Sequence, residues 1–246
     1  MKLSIIIPAY NEENYIGECL ESIQSEMEGK TYAVETIVVD NASTDKTAET
    51  ARAFPGVKVV YEPAKGLTSA RRAGYLASVG DLVANIDADT KLPAGWIDKV
   101  FSEFSHNGKL VALSGPYIYY DLSYLQRGAV KFFYFLGYLT HIINHKILKK
   151  GAMLQGGNFI IRRSALERIH GYNTKIDFYG EDTDVARRIQ KVGEVKFTFD
   201  LPMYTSGRRL RAEGILTMAV RYLINYFWVL VFKKPFTKKY KDIRNA

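Results

Sequence analysis

Asp87 and Asp89 stand one residue apart at the end of the apolar run Leu82–Asp87. Two carboxylates that close repel each other unless a proton or a cation sits beside them. A hard divalent ion such as Mg²⁺ or Mn²⁺ suits such a pair, with the remaining ligands drawn from substrate phosphates. A second acidic cluster, Gly180-Glu181-Asp182-Thr183-Asp184, opens a segment in which Val185, Ile189 and Val192 recur at helical spacing. Carboxylates at a helix start are favoured by the dipole, a structural role that suits Asp184 as well as any chemistry does. Asp182, oriented by the same helix start, is placed to act as a general base on an acceptor hydroxyl.

Cationic and flexible residues accompany these acids. Lys65, Arg71 and Arg72 surround the start of a helix after Gly66, and Arg208, Arg209 and Arg211 follow a turn at Pro202. Such side chains beside a metal–diphosphate would stabilise a leaving nucleotide. Gly156-Gly157-Asn158 precedes the apolar run Phe159–Arg162, where bare backbone can approach a sugar closely.

The elements that must carry these groups alternate. Leu3–Pro8, Val34–Asp40, Val57–Glu62 and Leu82–Asp87 read as buried strands, separated by helical segments at Glu12–Met27, Asp45–Phe54 and Leu67–Ser78. Ser43 or Thr44 is placed to cap the second helix. Continuous apolar strands alternating with helices predict a mainly parallel sheet covered on both faces. Ligands of such sheets sit beyond the carboxyl ends of the strands. Three strand ends deliver polar groups there: Pro8-Ala9-Tyr10-Asn11-Glu12, Asp40-Asn41-Ala42-Ser43-Thr44-Asp45 and Asp87-Ala88-Asp89.

In order, these elements are similar to glycosyltransferase family 2. The resemblance rests on Ile5-Ile6-Ile7-Pro8-Ala9-Tyr10-Asn11-Glu12, Val38-Val39-Asp40 through Asp45, Lys65-Gly66 with Ala70-Arg71 and Gly74, Asp87-Ala88-Asp89, Gly156-Gly157-Asn158 and Gly180-Glu181-Asp182. It implies an α/β GT-A nucleotide-binding sandwich with a mainly parallel central sheet and a helical C-terminal extension. It also implies an inverting, metal-dependent transfer of a sugar from a UDP- or GDP-sugar to an acceptor hydroxyl. Tyr10 and Asp40, with Pro8, Ala9 and Glu12 beside them, would hold base and ribose, and Arg71 would lie near the nucleotide. Asp89 would bind Mg²⁺ or Mn²⁺, with Asp87 close to the ribose or the metal. Asp182 would be the base, and Glu181 with Gly157 and Asn158 would contribute to the donor or acceptor pocket. The family often has Asn where Arg72 stands, so no role passes to that residue. Ser206-Gly207-Arg208-Arg209-Leu210 stands where processive members carry Gln-x-x-Arg-Trp, which favours a single addition to a lipid-linked or cell-envelope glycan.

Two other readings compete. A metal-dependent phosphatase would use Asp87-Ala88-Asp89-Thr90 as a nucleophile motif, but Lys91 stands where that motif has Thr or Val. A non-catalytic nucleotide-binding module would leave Asp182 without a task.

With 246 residues, 47% of them hydrophobic, the chain can fill one large core. A GT-A domain over residues 1–210 and a basic, amphipathic, membrane-contacting segment over 211–246 are the expected division. A single cysteine, Cys19, excludes an intramolecular disulfide and reads as helix packing. The opening MKLSIIIPAY reads as a first strand rather than a signal peptide, and the expected location is cytoplasmic. The net charge of +8 gathers towards the end, from Lys233 to Lys241; such a patch can attract nucleic acid or an anionic membrane face, or be a solvated tail, and a membrane surface without nucleic acid is the expected partner. Ile215–Phe232 is apolar apart from Thr217, Arg221 and Asn225, which repeat at i+4. As a helix it is about 27 Å long, and a central arginine costs about 3 kcal/mol on insertion, so it is expected to lie in the interface of the inner membrane face, with a buried core helix as the alternative. Val130–Ile143 is a second aromatic-rich segment expected beside it, and His141 and His145, at helical spacing, read as polar-face residues.

Overall fold

The β-branched runs form strands where the pattern places them, and a computed structural model describes the chain outside residues 148–151, 177, 238–241 and 243–246. The side chains of 136 and 139–147, which include the His141–His145 pair, also lie outside the described residues, as does most of the basic tail. In chain order the elements begin with β1 (Lys2–Ala9), α1 (Ile16–Met27), β2 (Ala33–Asp40), α2 (Thr47–Arg52), β3 (Val57–Tyr61) and α3 (Leu67–Ala77). They continue with β4 (Leu82–Ile86), β5 (Thr90–Lys91), α4 (Trp96–His106), β6 (Leu110–Ser114), β7 (Tyr117–Tyr119) and α5 (Tyr124–Ile147). Then come β8 (Asn158–Arg162), α6 (Arg163–Arg168), α7 (Glu181–Ile189), β9 (Glu194–Phe197), β10 (Met203–Thr205), α8 (Arg208–Glu213) and α9 (Ile215–Phe232).

Seven strands form the central sheet in the order β3-β2-β1-β4-β8-β6-β9. The pairs β1/β2, β1/β4, β2/β3 and β6/β9 are parallel, whereas β8 runs against both β4 and β6. The fold is thus α/β with a mainly parallel sheet. The short strands β5, β10 and β7 form a second sheet.

Alternation along β1 explains why both faces are covered. Leu3, Ile5 and Ile7 pack with Ile16, Leu20 and Ile23 of α1 and with Trp96, Val100 and Phe104 of α4. Ile6 points the other way, among Ala70 of α3, Phe159 and Ile161 of β8, and Val185 and Ile189 of α7. Gly74 is required on that side, because a Cβ there would press into Ile6 and Val39 of the sheet.

The start of α2 differs from the expectation. Ser43 and Thr44 do not cap it; Ser43 Oγ accepts from Asn11 N at 3.1 Å, and Asp45 Oδ1 instead accepts from Thr47 N at 3.0 Å. The reason is that Asn11, at φ 51°, turns its side chain onto Thr44 N and ties the two strand-end loops together.

Candidate active site

The loops after β1, β2 and β4 meet at one edge of the sheet. At the β1–β2 end, Asp40 is buried and accepts from Ser43 N, while Lys65 Nζ donates to the Tyr10 hydroxyl at 2.8 Å and lies over its ring. Asn41 holds the Lys65 loop, donating to the Glu62 and Ala64 carbonyls and accepting from Gly66 N at 2.8 Å. Sequence reading placed Asn41 in a motif without giving it this task. Pro8 and Ala9 end β1, with Ala9 buried.

The β4 end holds the aspartates. The Asp87 carbonyl accepts from the Thr90 hydroxyl at 2.6 Å and from Cys19 Sγ at 3.8 Å, which fixes the turn. Cys19 is buried and its thiol is pushed up to about 12 by desolvation, consistent with packing and not with nucleophilic chemistry. Asp87 Oδ2 accepts from the Tyr117 hydroxyl at 2.7 Å, and Asp87 keeps 36% of its side chain exposed. Asp89 Oδ2 is paired with Arg208 Nε at 2.9 Å, and Arg208 Nη2 reaches Glu12 Oε1 at 2.6 Å. Glu12 is therefore tied to Asp89 through one guanidinium. Tyr117 and this use of Arg208 were missed from the sequence, because no spacing signal connects them to the aspartates.

Arg71 links the two acidic clusters. Its guanidinium forms an ion pair with Glu181, donates to the Gly156 carbonyl and lies 3.7 Å from Asp87 Oδ1, with the side chain only 1% exposed. Arg71 is expected near the nucleotide; its enclosed guanidinium contacts Asp87 and Glu181. Arg72, on the other side of α3, is exposed.

Glu181 and Asp182 open α7 behind Gly180, whose φ of 79° makes the turn into the helix. Asp182 Oδ1 accepts from Thr183 N at 2.6 Å. A Cβ added to Gly156 would sit 3.2 Å from Glu181 Oε1 and 3.6 Å from Asp182 Oδ2, while one added to Gly157 would collide with Asp87 and the Tyr117 hydroxyl. The two-glycine turn thus runs between Asp182 on one side and Asp87 on the other. Asn158 is fully buried, accepting from Trp96 Nε1 at 3.1 Å and donating to the Leu201 carbonyl at 2.8 Å, so it anchors the turn from below. Asp184 is structural, paired with Arg187 at 2.7 Å and Arg188 at 2.8 Å.

Burial shifts the titration of the two carboxylates that open α7. Desolvation pushes Glu181 up, against the pull of the Arg71 guanidinium with which it is paired. It raises Asp182 as well, opposed by the Thr183 N–H and by Arg71. Tyr117 is held well above the usual phenol range by burial and by Asp87, so its hydroxyl remains a donor.

Among the described residues, no three His, Cys, Asp or Glu side chains converge to hold a metal alone. The neighbouring carboxylates of Asp87 and Asp89 nevertheless fit a hard cation that takes its other oxygens from a diphosphate. Arg208 is the cation paired with Asp89 at 2.9 Å.

Comparison with known proteins identifies the family. The family model "glycosyl transferase family 2" matches residues 4–170. The chain belongs to glycosyl transferase family 2. The matched stretch of this family 2 chain contains Tyr10, Asp40, Arg71, the aspartates and Asn158. A second model, "N-terminal domain of galactosyltransferase", matches residues 139–206 and takes in Glu181 and Asp182.

Among curated proteins, the dolichol-phosphate mannosyltransferase of Pyrococcus furiosus is 29% identical over 239 residues, covering 88% of this chain and 59% of that protein. The chain therefore spans less than two thirds of that relative. Among solved structures, the mannosyltransferase of Pyrobaculum calidifontis in complex with GDP-Man and Mn²⁺ superposes with a TM-score of 0.72 at 21% identity, covering 92% of this chain and 63% of that one. S. aureus TarS 1–349 with UDP-GlcNAc gives a TM-score of 0.60 at 18% identity, covering 84% and 58%. These likenesses establish the GT-A type of fold.

Proposed function

We propose that this family 2 protein transfers a single sugar from a UDP- or GDP-sugar to an acceptor hydroxyl, with inversion and with a divalent cation. The observation that carries the reading is the Gly156–Gly157 turn, flanked by Asp182 on one side and Asp87 on the other. Donor and acceptor can then meet across bare backbone, with a base facing one and the aspartate loop facing the other.

Tyr10 and Asp40 bind the base and ribose, with Lys65 fixing the Tyr10 ring. Glu12 acts through Arg208, and Pro8 and Ala9 shape the floor. Asp89, aided by Asp87, would hold Mg²⁺ or Mn²⁺, which when bound offsets the charge of the departing diphosphate. Arg208, lying between Glu12 and Asp89, adds a second positive charge on that side. Asp182 takes the proton of the acceptor O–H as the oxygen bonds to the anomeric carbon. The bond from that carbon to the β-phosphate oxygen breaks, and its electron pair leaves with the nucleoside diphosphate. Backside attack of this kind inverts the anomeric centre. Gly157 leaves the sugar room, and Glu181, held by Arg71, sets the height of Asp182.

The acceptor in this reading is lipid-linked, and residues 211–246 contact the inner face of the cell membrane around the GT-A domain of residues 1–210. Support comes from α9, with a mean hydropathy of 1.7 and only 17% of its residues buried, and from the relative named for dolichol phosphate. A helix of a soluble core would be mostly buried.

Thermal shift with UDP and GDP, each with and without Mn²⁺, tests the donor side. One nucleotide is expected to stabilise the protein in a Mn²⁺-dependent way. No shift with any nucleoside diphosphate would overturn the reading.

A further inference from the structure

Helix α9 has two faces with opposite surroundings. Outward, Leu216 is 68% exposed, Leu223 51%, Phe227 44% and Val231 67%, with Val220, Ile224 and Phe232 alongside. Such a contiguous apolar surface marks an interaction site. Arg221, the one charged residue of the helix, is not part of it: its guanidinium is paired with Glu213 and donates to the Tyr179 hydroxyl at 3.0 Å. Asn225 is likewise turned inward, holding the returning chain at Phe236 N and Thr237 N, each at 3.0 Å.

Inward, α9 rests on the turn that carries the base. Val229 is fully buried against Gly180, where an added Cβ would lie 2.5 Å from Val229 Cγ2. Tyr222 packs edge-on to Tyr179 with ring centroids 6.0 Å apart. Residues 179 and 180 lead directly into Glu181 and Asp182. One helix therefore presents, among the described residues, an exposed apolar row on one side and grips the base turn with the other.

The occupant that fits the outer row is an anionic phospholipid bilayer. Lys233 and Lys234 are exposed at the end of the helix, the chain carries a net charge of +8, and Trp228 clusters with Phe232 and Phe236 at 4.4 and 5.0 Å beside those lysines. Aromatic rings beside cations are the pattern of a helix lying in the headgroup layer.

We propose that docking of α9 on such a bilayer orders the Tyr179–Asp182 turn, so that the base is set in place at the membrane. The inference rests on the membrane contact and the role of Asp182 argued above. Docking removes the freedom of α9 to shift, and the contacts at Val229, Arg221 and Tyr222 pass that restraint to the turn. A base ordered only where a lipid-borne acceptor lies would spare the donor from water elsewhere.

The test uses the full chain with vesicles of phosphatidylcholine and phosphatidylglycerol in equal parts, and hydrogen exchange over residues 178–184 as the readout. The protein is expected to sediment with the vesicles, and exchange there to slow by about tenfold or more. Leu223→Asp with Phe227→Asp is expected to abolish both effects. Val229→Ala and Tyr179→Phe leave the outer row intact, so both should still sediment but lose most of the slowing. Exchange over β1 and β4 checks that each variant is folded, and Tyr179→Phe removes only a hydroxyl if Val229→Ala is not. Sedimentation with unchanged exchange, or full slowing in the inner-face variants, would overturn the coupling and leave the membrane contact standing. A protein that stays in the supernatant would overturn the membrane contact and the coupling with it.

Discussion

Arg71 and Glu181 form an ion pair in which the two side chains are only 1% and 5% exposed. The pair joins α3 to the first residue of α7, and Arg71 also faces Asp87, so the two acidic clusters share one guanidinium. Burial holds the two charges in a medium where neither is stable alone.

Removing one partner therefore leaves the other buried and uncompensated. Arg71→Met should destabilise the fold by about 3–5 kcal/mol, measured by urea unfolding. The double variant Arg71→Met, Glu181→Met should recover most of that loss. Equal destabilisation in the single and double variants would show that the pair is not coupled.

In the proposed mechanism Asp182→Asn removes the proton acceptor and leaves the donor side untouched. Turnover should fall by about 10²–10⁴-fold, while the affinity for the nucleoside diphosphate stays within about twofold. Full turnover, or loss of nucleotide binding instead, would remove Asp182 from its role; titration calorimetry beside a transfer assay distinguishes the two.

The pH dependence follows from the same residue. Asp182 works when deprotonated, and burial raises its pKa above the ordinary aspartate value of about 3.9. Activity should thus be present at higher pH and lost as pH falls through that raised value. A kcat/KM profile should place the acid limb above the normal carboxylate range; a limb at the ordinary value contradicts this.

Asp89→Asn should weaken Mn²⁺ and donor together. In the wild type, chelation should abolish turnover and added Mn²⁺ restore it; in the variant, half-maximal activation should need at least about tenfold more metal. Turnover that survives chelation unchanged would exclude the metal-dependent reading.

Gly157→Ala forces a methyl group into Asp87 and the Tyr117 hydroxyl. About 1–3 kcal/mol of stability should be lost, with a higher KM for the donor, because the aspartate loop must move. A donor KM equal to that of the wild type would show that the turn is not part of the donor pocket.

The sequence alone determined the strands, the alternation that covers both sheet faces, and the strand ends where polar groups gather. Those features are local: apolar period and turn chemistry are written in consecutive residues, as in Leu3–Pro8 running into Tyr10-Asn11-Glu12. Ser43 and Thr44 show where local rules fail, since Asn11 on another loop outcompeted the cap. What tertiary structure decided is which distant charges meet. Arg71 with Glu181, and Arg208 with both Glu12 and Asp89, are joined across long stretches of chain, and no spacing announces a guanidinium's partner. The direction of Arg221 was hidden for the same reason: a helical stripe fixes which residues share a face, while only packing against Glu213 and Tyr179 decides which way that face turns.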